Sequence, residues 1–270
     1  MDCKLAVIQH KVGFEKKENL QRAAQGIEEG VQKGAQIVVL PEMFTCPYSN
    51  DYFPRFAESF PKGETLHFLQ KEAQDKGIYL VGGSLPELEG EKIYNTSFVF
   101  GPDGTLLGKH RKMHLFDINV PGKIYFKESD TLQAGEEITV IETEFGKIGV
   151  AICYDVRFPE MFSAMALKGA EMVVLPGAFN MTTGPAHWEL LLRTRAVDNQ
   201  VYVVAASPSR DTEGVYTAWG HSLIVDPWGE VLEQAGSCEE VLVGAIDSAQ
   251  VARVRQRLPV YEHLRLDLYK

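Results

Sequence analysis

The sequence predicts an α/β protein built as a four-layer α-β-β-α sandwich (helix–sheet–sheet–helix) from an internally duplicated unit, on three observations. Apolar, strand-like runs alternate with segments of helical periodicity. The segment Lys33-Gly-Ala-Gln-Ile-Val-Val-Leu-Pro-Glu42 returns almost letter for letter as Lys168-Gly-Ala-Glu-Met-Val-Val-Leu-Pro-Gly177. Each copy is then followed by the same order of helix, strand and hairpin. A repeat this long does not stack as a solenoid, so the two units pack against each other. Their apolar strands need helices on one face and a partner sheet on the other. A single doubly wound sheet is the competing architecture, and the repetition of the hairpins favours the sandwich.

Taken in order, Lys4–Gln9 reads as a short apolar strand and Asn19–Lys33 as a helix. Lys33–Glu42 contains a buried strand ending in Pro-Glu, a helix follows around Leu66–Lys76, and Ile78–Gly83 is the next strand. Ser97–Lys109 is a hairpin turned by Pro-Asp-Gly. The second unit answers with a strand at Lys147–Cys153, a helix at Glu160–Leu167 and a strand at Lys168–Gly177. A helix at His187–Asn199, a strand at Val201–Ala206 and a hairpin at Ser222–Leu232 complete it.

The 270 residues, 45% apolar and 24% charged, suit one large domain spanning 1–270. A formal net charge of -10 repels phosphate backbones and argues against a nucleic-acid partner. It leaves open a small anionic substrate held in a local cationic pocket. No segment reads as a signal peptide or a membrane span. Cys3, Cys46, Cys153 and Cys238 are scattered without C-x-x-C spacing, as free thiols in a reducing cytoplasm would be. The glycosylation-like triplets at Asn95 and Asn180 carry no weight in that compartment.

Functional groups stand at strand ends in only one copy of the repeat. Glu42 is matched by Gly177, and Cys153 is aligned with Gln9. Cys153 closes a strand just before a helix, the placement of a nucleophile elbow, where a helix N-terminus favours thiolate. Taken alone, a free cysteine is as well explained as a buried structural residue. Glu42, after an apolar strand, is either a surface glutamate or a general base raised by burial. Lys112 lies in a basic run, Lys109-His-Arg-Lys-Met-His114, of the kind usually found solvated. His110 and His114 lack a third ligand at metal spacing, so no metal is expected. His187 is the candidate for a Cys–His dyad, and Cys46 is a rival thiol lacking a following helix start.

Three motifs in order, Leu40-Pro-Glu42, His110-Arg-Lys112-Met-His-Leu-Phe and Gly149-Val-Ala-Ile-Cys153-Tyr-Asp-Val-Arg-Phe-Pro, resemble the nitrilase superfamily of carbon–nitrogen hydrolases. The resemblance runs from Leu5 to the end of the chain and implies the duplicated sandwich and a catalytic Glu42, Lys112 and Cys153. Cys46-Pro-Tyr48, Tyr94-Asn-Thr, Phe116–Ile124, Phe126-Lys-Glu128-Ser and Pro176–Glu189 resemble its omega-amidase branch. They imply Glu128 as a further active-site carboxylate and a 2-oxo dicarboxylate monoamide as substrate.

The expected chemistry is thiol attack by Cys153 with Glu42 as base, Lys112 and the Tyr154 N–H facing the oxyanion, and Glu128 orienting Lys112. It requires no cofactor. Tyr48, Tyr154, Arg157, Phe179, Thr182 and Thr183 are the candidate substrate contacts, with Arg193 and Arg195 as further cations for a distal carboxylate. Arg157 is equally explained by pairing with Asp155 or a glutamate. Competing activities are an amidase for a deaminated peptide or an N-carbamoyl compound, a nitrile hydrolase, and a catalytically silent scaffold. The resemblance also implies a homodimer or larger homo-oligomer, with the tail Val254–Lys270 a candidate contact against an ordinary docked segment.

Overall fold

The computed structural model describes residues 2–122 and 124–268. Lys123, inside the Phe116–Ile124 motif, and the last two residues of the tail lie outside the described residues, as does Met1. The first unit runs β1 (Asp2–Gln9), α1 (Lys16–Gln32), β2 (Ile37–Val39), α2 (Phe53–Phe56) and α3 (Glu64–Lys76). It continues through β3 (Tyr79–Val81), β4 (Leu85–Glu89), β5 (Lys92–Phe100) and β6 (Leu106–Arg111). A separate hairpin, β7 (Asp117–Val120) and β8 (Ile124–Lys127), leads to the second unit. That unit comprises β9 (Thr139–Thr143), β10 (Gly146–Val150), α4 (Pro159–Leu167), β11 (Met172–Pro176) and α5 (Gly184–Asn199). Next come β12 (Tyr202–Ala206), β13 (Leu223–Val225), β14 (Val231–Gln234), β15 (Glu240–Asp247) and α6 (Ser248–Arg257).

One sheet is ordered β15-β1-β2-β3-β5-β4, with β6 also on β5; the other is ordered β14-β13-β12-β11-β10-β9. Alternation along each central strand creates the layers. Leu5 and Val7 point at the opposite sheet and meet Val150, Met172, Val174 and Val204 in a shared core. Ala6 and Ile8 point the other way, onto Leu20, Ala23 and Ile27 of α1. In the second unit Val173 and Leu175 face Phe162 of α4 and Trp188 and Leu192 of α5. Helix, sheet, sheet and helix therefore stack as the repeat predicts.

Apart from β4, which has no counterpart in the second unit, the units match strand for strand, with one exchange. β10 is flanked by the antiparallel β9 that precedes it, whereas β1 is flanked by β15, which arrives from the far end of the chain. The register from Asp2↔Asp247 to Gln9↔Glu240 ties the C-terminal part of the second unit into the first sheet. The parallel registers Leu5↔Ile37 and Ile148↔Met172 also correct the alignment made from sequence. Counting from these pairs, Glu42 does match Gly177, but Cys153 matches His10 rather than Gln9. His10 is buried, with Nδ1 2.9 Å from the Lys11 carbonyl. Burial lowers its pKa to about 4, so it stays neutral near neutral pH.

β1 starts two residues before the predicted Lys4, whereas the strands predicted for β2, β3, β10 and β11 are longer than those observed. β2 ends at Val39 and β10 at Val150, so Glu42 and Cys153 sit in the turns beyond. β4, β7, β8, β9, β15 and α6 were not anticipated. Among the described residues no helix is long and apolar enough to cross a membrane. The tail docks on its own chain: the Leu258 carbonyl accepts from Gln200 Nε2 (2.7 Å), and Tyr261 OH donates to Asn199 Oδ1 (3.2 Å). Leu266 and Leu268 beyond it are exposed.

α1 lies so close to β1 that a Cβ on Gly26 would stand 2.4 Å from Ile8 Cγ2. Helix propensity alone favours alanine there by about 1 kcal/mol. Overpacking against a β-branched side chain costs about 1–3 kcal/mol. Gly26→Ala is therefore expected to destabilise the protein in urea unfolding, and unchanged or raised stability contradicts this packing.

Candidate active site

Cys153 starts a short 3-10 turn, Cys153–Arg157, immediately beyond β10, and its φ of 47° lies in the left-handed region. A non-glycine residue there costs roughly 1–2 kcal/mol, and such strain is the mark of a nucleophile elbow. Across from it, a Cβ on Gly177 would meet Cys153 Cα at 3.3 Å and Trp188 ring carbons at 3.1 Å. The position occupied by Glu42 in the first unit is thus kept bare in the second, and the nucleophile's backbone fills the space.

Glu42 leaves β2 in a turn locked by Gly83 and Ser84. Ser84 Oγ accepts from Met43 N–H (3.0 Å), and Gly83 has a φ of 53°. A Cβ on Gly83 would fall 2.1 Å from the Pro41 carbonyl oxygen, so only glycine fits. Lys112 is anchored on both sides of its backbone. Its N–H donates to the Asn95 carbonyl, and its own carbonyl accepts from Gly135 N–H, each at 2.8 Å. The basic run is not solvated as a block. Lys109 and Arg111 turn outward to Glu87 and Glu89, while His110 and Lys112 turn inward and are fully buried. Glu128 opens a 3-10 turn at the end of β8, where its Oε2 accepts from Phe116 N–H (2.6 Å).

These elements bring the four polar candidates into one buried cluster. Lys112 Nζ lies 3.0 Å from Glu42 Oε1 and 2.9 Å from Glu128 Oε1. Tyr48 OH donates to Glu128 Oε1 (2.7 Å). Glu42 Oε2 accepts from Ala178 N–H (2.8 Å), and Asn95 Nδ2 donates to Glu42 Oε1 (2.9 Å). Burial opposes the Lys112 charge, but each carboxylate at this distance returns about 5 kcal/mol at an effective dielectric near 20. Two of them outweigh the desolvation, and the ammonium is held well above its usual range. Glu42 is raised too, which for a carboxyl favours the neutral form. Burial raises it, Glu128 adds to the rise, and Lys112 and the Cys153 thiol only partly offset it.

The Cys153 thiol is pushed well up, first by burial and then by Glu42, against smaller lowering by Lys112 and the Ala178 N–H. This corrects the expectation of a thiolate favoured by a helix N-terminus: a 3-10 turn intervenes, and α4 begins only at Pro159. The raised pKa keeps the proton on the thiol. Cys46 is also raised by burial, and its Sγ donates to the Pro47 carbonyl (3.3 Å).

Sequence reasoning missed Asp155. Its Oδ2 accepts from Ile152 N–H (2.9 Å) and faces His110 Nε2 (3.2 Å). Its Oδ1 accepts from His114 N–H (2.9 Å) and faces His114 Nδ1 (2.8 Å). The pair of histidines therefore clamps the Cys153 turn to the Lys112 segment, and no metal-like cluster exists among the described residues. Burial would raise Asp155, but the two imidazoles bring it down to about 2. The signal available in the sequence was the inward alternation of His110 and Lys112 in the basic run.

A narrow cleft at Cys153 is lined by Tyr48, Phe116, Tyr154, Arg157, Phe179 and Thr183, among others. Thr182 lies outside it, exposed, with its N–H on Asn180 Oδ1 (3.0 Å). Arg157 does not pair with Asp155. Its guanidinium lies 5.1 Å from the Phe179 ring and 5.7 Å from the Tyr154 ring, with His187 Nδ1 at 3.3 Å. His187 is thus engaged at the surface and Glu42 is the group facing the thiol. Arg193 is exposed on Gly229 and Glu189, and Arg195 is buried behind the turn, donating to the Val156 carbonyl (2.8 Å). The Tyr154 N–H has no acceptor among the described residues. Of the two glycosylation-like sites, Asn95 is fully buried and Asn180 caps its own turn. A second cavity, of about 230 Å³, reaches Glu42 and shares Tyr48, Ala178 and Tyr216 with the cleft as a common wall.

A carbon–nitrogen hydrolase family model matches residues 4–256. Omega-amidase NIT2-A of Xenopus laevis is 56% identical over 98% of this chain and 96% of its own. The crystal structure of Saccharomyces cerevisiae Nit3, of branch 10 of the nitrilase superfamily, is 44% identical with a TM-score of 0.89, covering 96% of this chain and 95% of that one. A mutant amidase from Nesterenkonia sp. AN1, with acrylamide added at its active-site cysteine, is 25% identical with a TM-score of 0.77. The match there covers 96% of this chain and 99% of that one.

Asp155→Asn is expected to cost about 3 kcal/mol near neutral pH, since one carboxylate satisfies buried donors on two segments. A carboxyl lowered from 3.8 to about 2 on folding contributes stability above pH 4 and loses it as pH falls toward 2. Urea unfolding of both proteins should show the gap narrowing below pH 4, and a pH-independent gap contradicts this role.

Proposed function

The chain belongs to the carbon–nitrogen hydrolase family, within the nitrilase superfamily, and we propose that it is an omega-amidase acting on small 2-oxo dicarboxylate monoamides. The near full-length identity to omega-amidases supports this, as does the omega-amidase-like sequence around Tyr48, Asn95, Glu128 and Phe179. The single observation that carries the chemistry is the buried ammonium of Lys112 held between Glu42 and Glu128 beside Cys153.

In the proposed reaction Glu42 takes the Cys153 thiol proton as sulfur attacks the amide carbonyl. Lys112 and the Tyr154 N–H stabilise the oxyanion. The tetrahedral adduct collapses, Glu42 returns the proton to the departing nitrogen, and ammonia leaves a thioester on Cys153. Glu42 then deprotonates a water that attacks the thioester carbonyl, and its proton returns to the sulfur as the dicarboxylate departs. Glu128 keeps Lys112 charged and fixed throughout. Arg157, the cation among the cleft-lining residues, pairs with the distal carboxylate, while Tyr48, Tyr154, Phe179 and Thr183 wall the acyl chain. Thr182, exposed outside the cleft, is not among these contacts.

The 230 Å³ cavity beside Glu42 is the observation favouring a larger monoamide, such as a deaminated peptide. We propose further that the whole chain forms one hydrolase domain and that it assembles as a homodimer or larger. Exposed Leu258, Leu266 and Leu268 on the tail support the assembly. A cytoplasmic setting is supported by Cys46, Cys153 and Cys238, which form no disulfide among the described residues.

Ammonia release should be fast with 2-oxoglutaramate and 2-oxosuccinamate, slow with peptide-sized monoamides and N-carbamoyl compounds, and lost in a folded Cys153→Ala protein. Near-normal turnover by that variant ends the proposal, and preference for a larger monoamide replaces the substrate. Losing a charge-assisted bond to the distal carboxylate costs about 1.5–3 kcal/mol. Arg157→Gln should therefore raise KM for 2-oxoglutaramate on the order of tenfold to a hundredfold. An unchanged KM places the clamp elsewhere.

A further inference from the structure

We infer that Asn95 is a positioning residue of the reaction, which holds Glu42 ionised and fixes the oxygen that receives the thiol proton. The inference rests on the assignment of Glu42 as base. Asn95 is fully buried on β5, between β4 and β6. Its backbone carbonyl accepts the Lys112 N–H (2.8 Å), and its Nδ2 donates to Glu42 Oε1 (2.9 Å). One residue thus sets the base and the ammonium relative to each other.

The geometry assigns different tasks to the two carboxylate oxygens. Oε1 already accepts from both Asn95 Nδ2 and Lys112 Nζ, whereas Oε2 accepts from a single N–H, that of Ala178. A carboxylate oxygen offers about two acceptor sites. Oε1 is therefore filled, and the proton arriving from Cys153 goes to Oε2.

The other end of the Asn95 amide shows what orients it. Oδ1 is buried and has no donor among the described residues. An orphaned buried acceptor is costly, so a purely structural asparagine would be expected to satisfy both ends. Here the amide gives up a bond at Oδ1 and keeps the one to a carboxylate, where a donor stabilises the charged form. Lys112, Glu128, Cys153, Tyr48 and Tyr216 also bear on Glu42 electrostatically. Of the groups around the base, Lys112, the Cys153 thiol and the neutral donors on Asn95 and Ala178 favour its ionisation.

The test is the pH profile of kcat/KM for 2-oxoglutaramate in Asn95→Leu, Asn95→Asp and Glu42→Gln, each checked for folding by thermal melting. Loss of the donor raises the pKa of the base, so Asn95→Leu should shift the acid limb upward by about one unit. That is a tenfold loss on the limb, with activity recovering as pH rises. Asn95→Asp keeps the shape, sets a second carboxylate against the first and should shift the limb further; it decides the matter if the leucine protein does not fold. An unmoved acid limb with a uniform drop at all pH, or a change in KM alone, overturns the inference. Glu42→Gln separates the two levels. An active Glu42→Gln protein removes the base itself, whereas an inactive one beside an unshifted Asn95 profile removes only the role of Asn95.

Discussion

One buried ammonium shared by two carboxylates sets the electrostatics of this protein. Lys112 lies between two buried acidic side chains, Glu42 and Glu128, so the cluster holds one acid in surplus over its single cation. The surplus falls on Glu42, which burial and Glu128 both raise, while Lys112 is kept protonated. A base poised to accept a proton and a cation that cannot lose one are thereby produced from the same three side chains. Burial, and after it Glu42, raises the Cys153 thiol, and in the proposed reaction this makes proton transfer part of the attack rather than a preceding event.

The frame that delivers these groups is nearly symmetric, and its chemistry depends on where the symmetry fails. Equivalent turns beyond β2 and β11 carry Glu42 and Gly177, and equivalent turns beyond β1 and β10 carry His10 and Cys153. In the second unit the glycine admits the strained nucleophile. In the first, the glutamate reaches toward the opposite sheet, where the Ala178 N–H receives it. Asp155 couples the two sides by tying the Cys153 turn to the segment bearing Lys112. The exchange of β15 into the first sheet ties the two units together, because that sheet is built from strands at both ends of the chain.

Much of this was legible in the residues. The repeat at Lys33 and Lys168 announced the duplicated sandwich, and three motifs announced Glu42, Lys112 and Cys153. What stayed hidden has physical reasons. β15 pairs with a strand more than two hundred residues away, and local periodicity cannot reveal such a partner. His110 and His114 looked like weak metal ligands because their true partner, Asp155, lies some forty residues on. The Glu42 donors on Asn95 and Ala178 escaped because a neutral amide and a backbone N–H have no distinctive composition. Arg193 and Arg195 were plausible clamps by charge alone, and helical geometry turned one outward and the other behind the site.

The proposed reaction passes through an acyl group carried on a single sulfur. Rapid acid quench of the wild-type enzyme during turnover of 2-oxoglutaramate, followed by digestion and mass spectrometry, reads that directly. The predicted result is a 2-oxoglutaryl thioester confined to the peptide bearing Cys153 and absent once substrate is exhausted. A label on Cys46 or another residue, or turnover with no covalent adduct at any quench time, would contradict it.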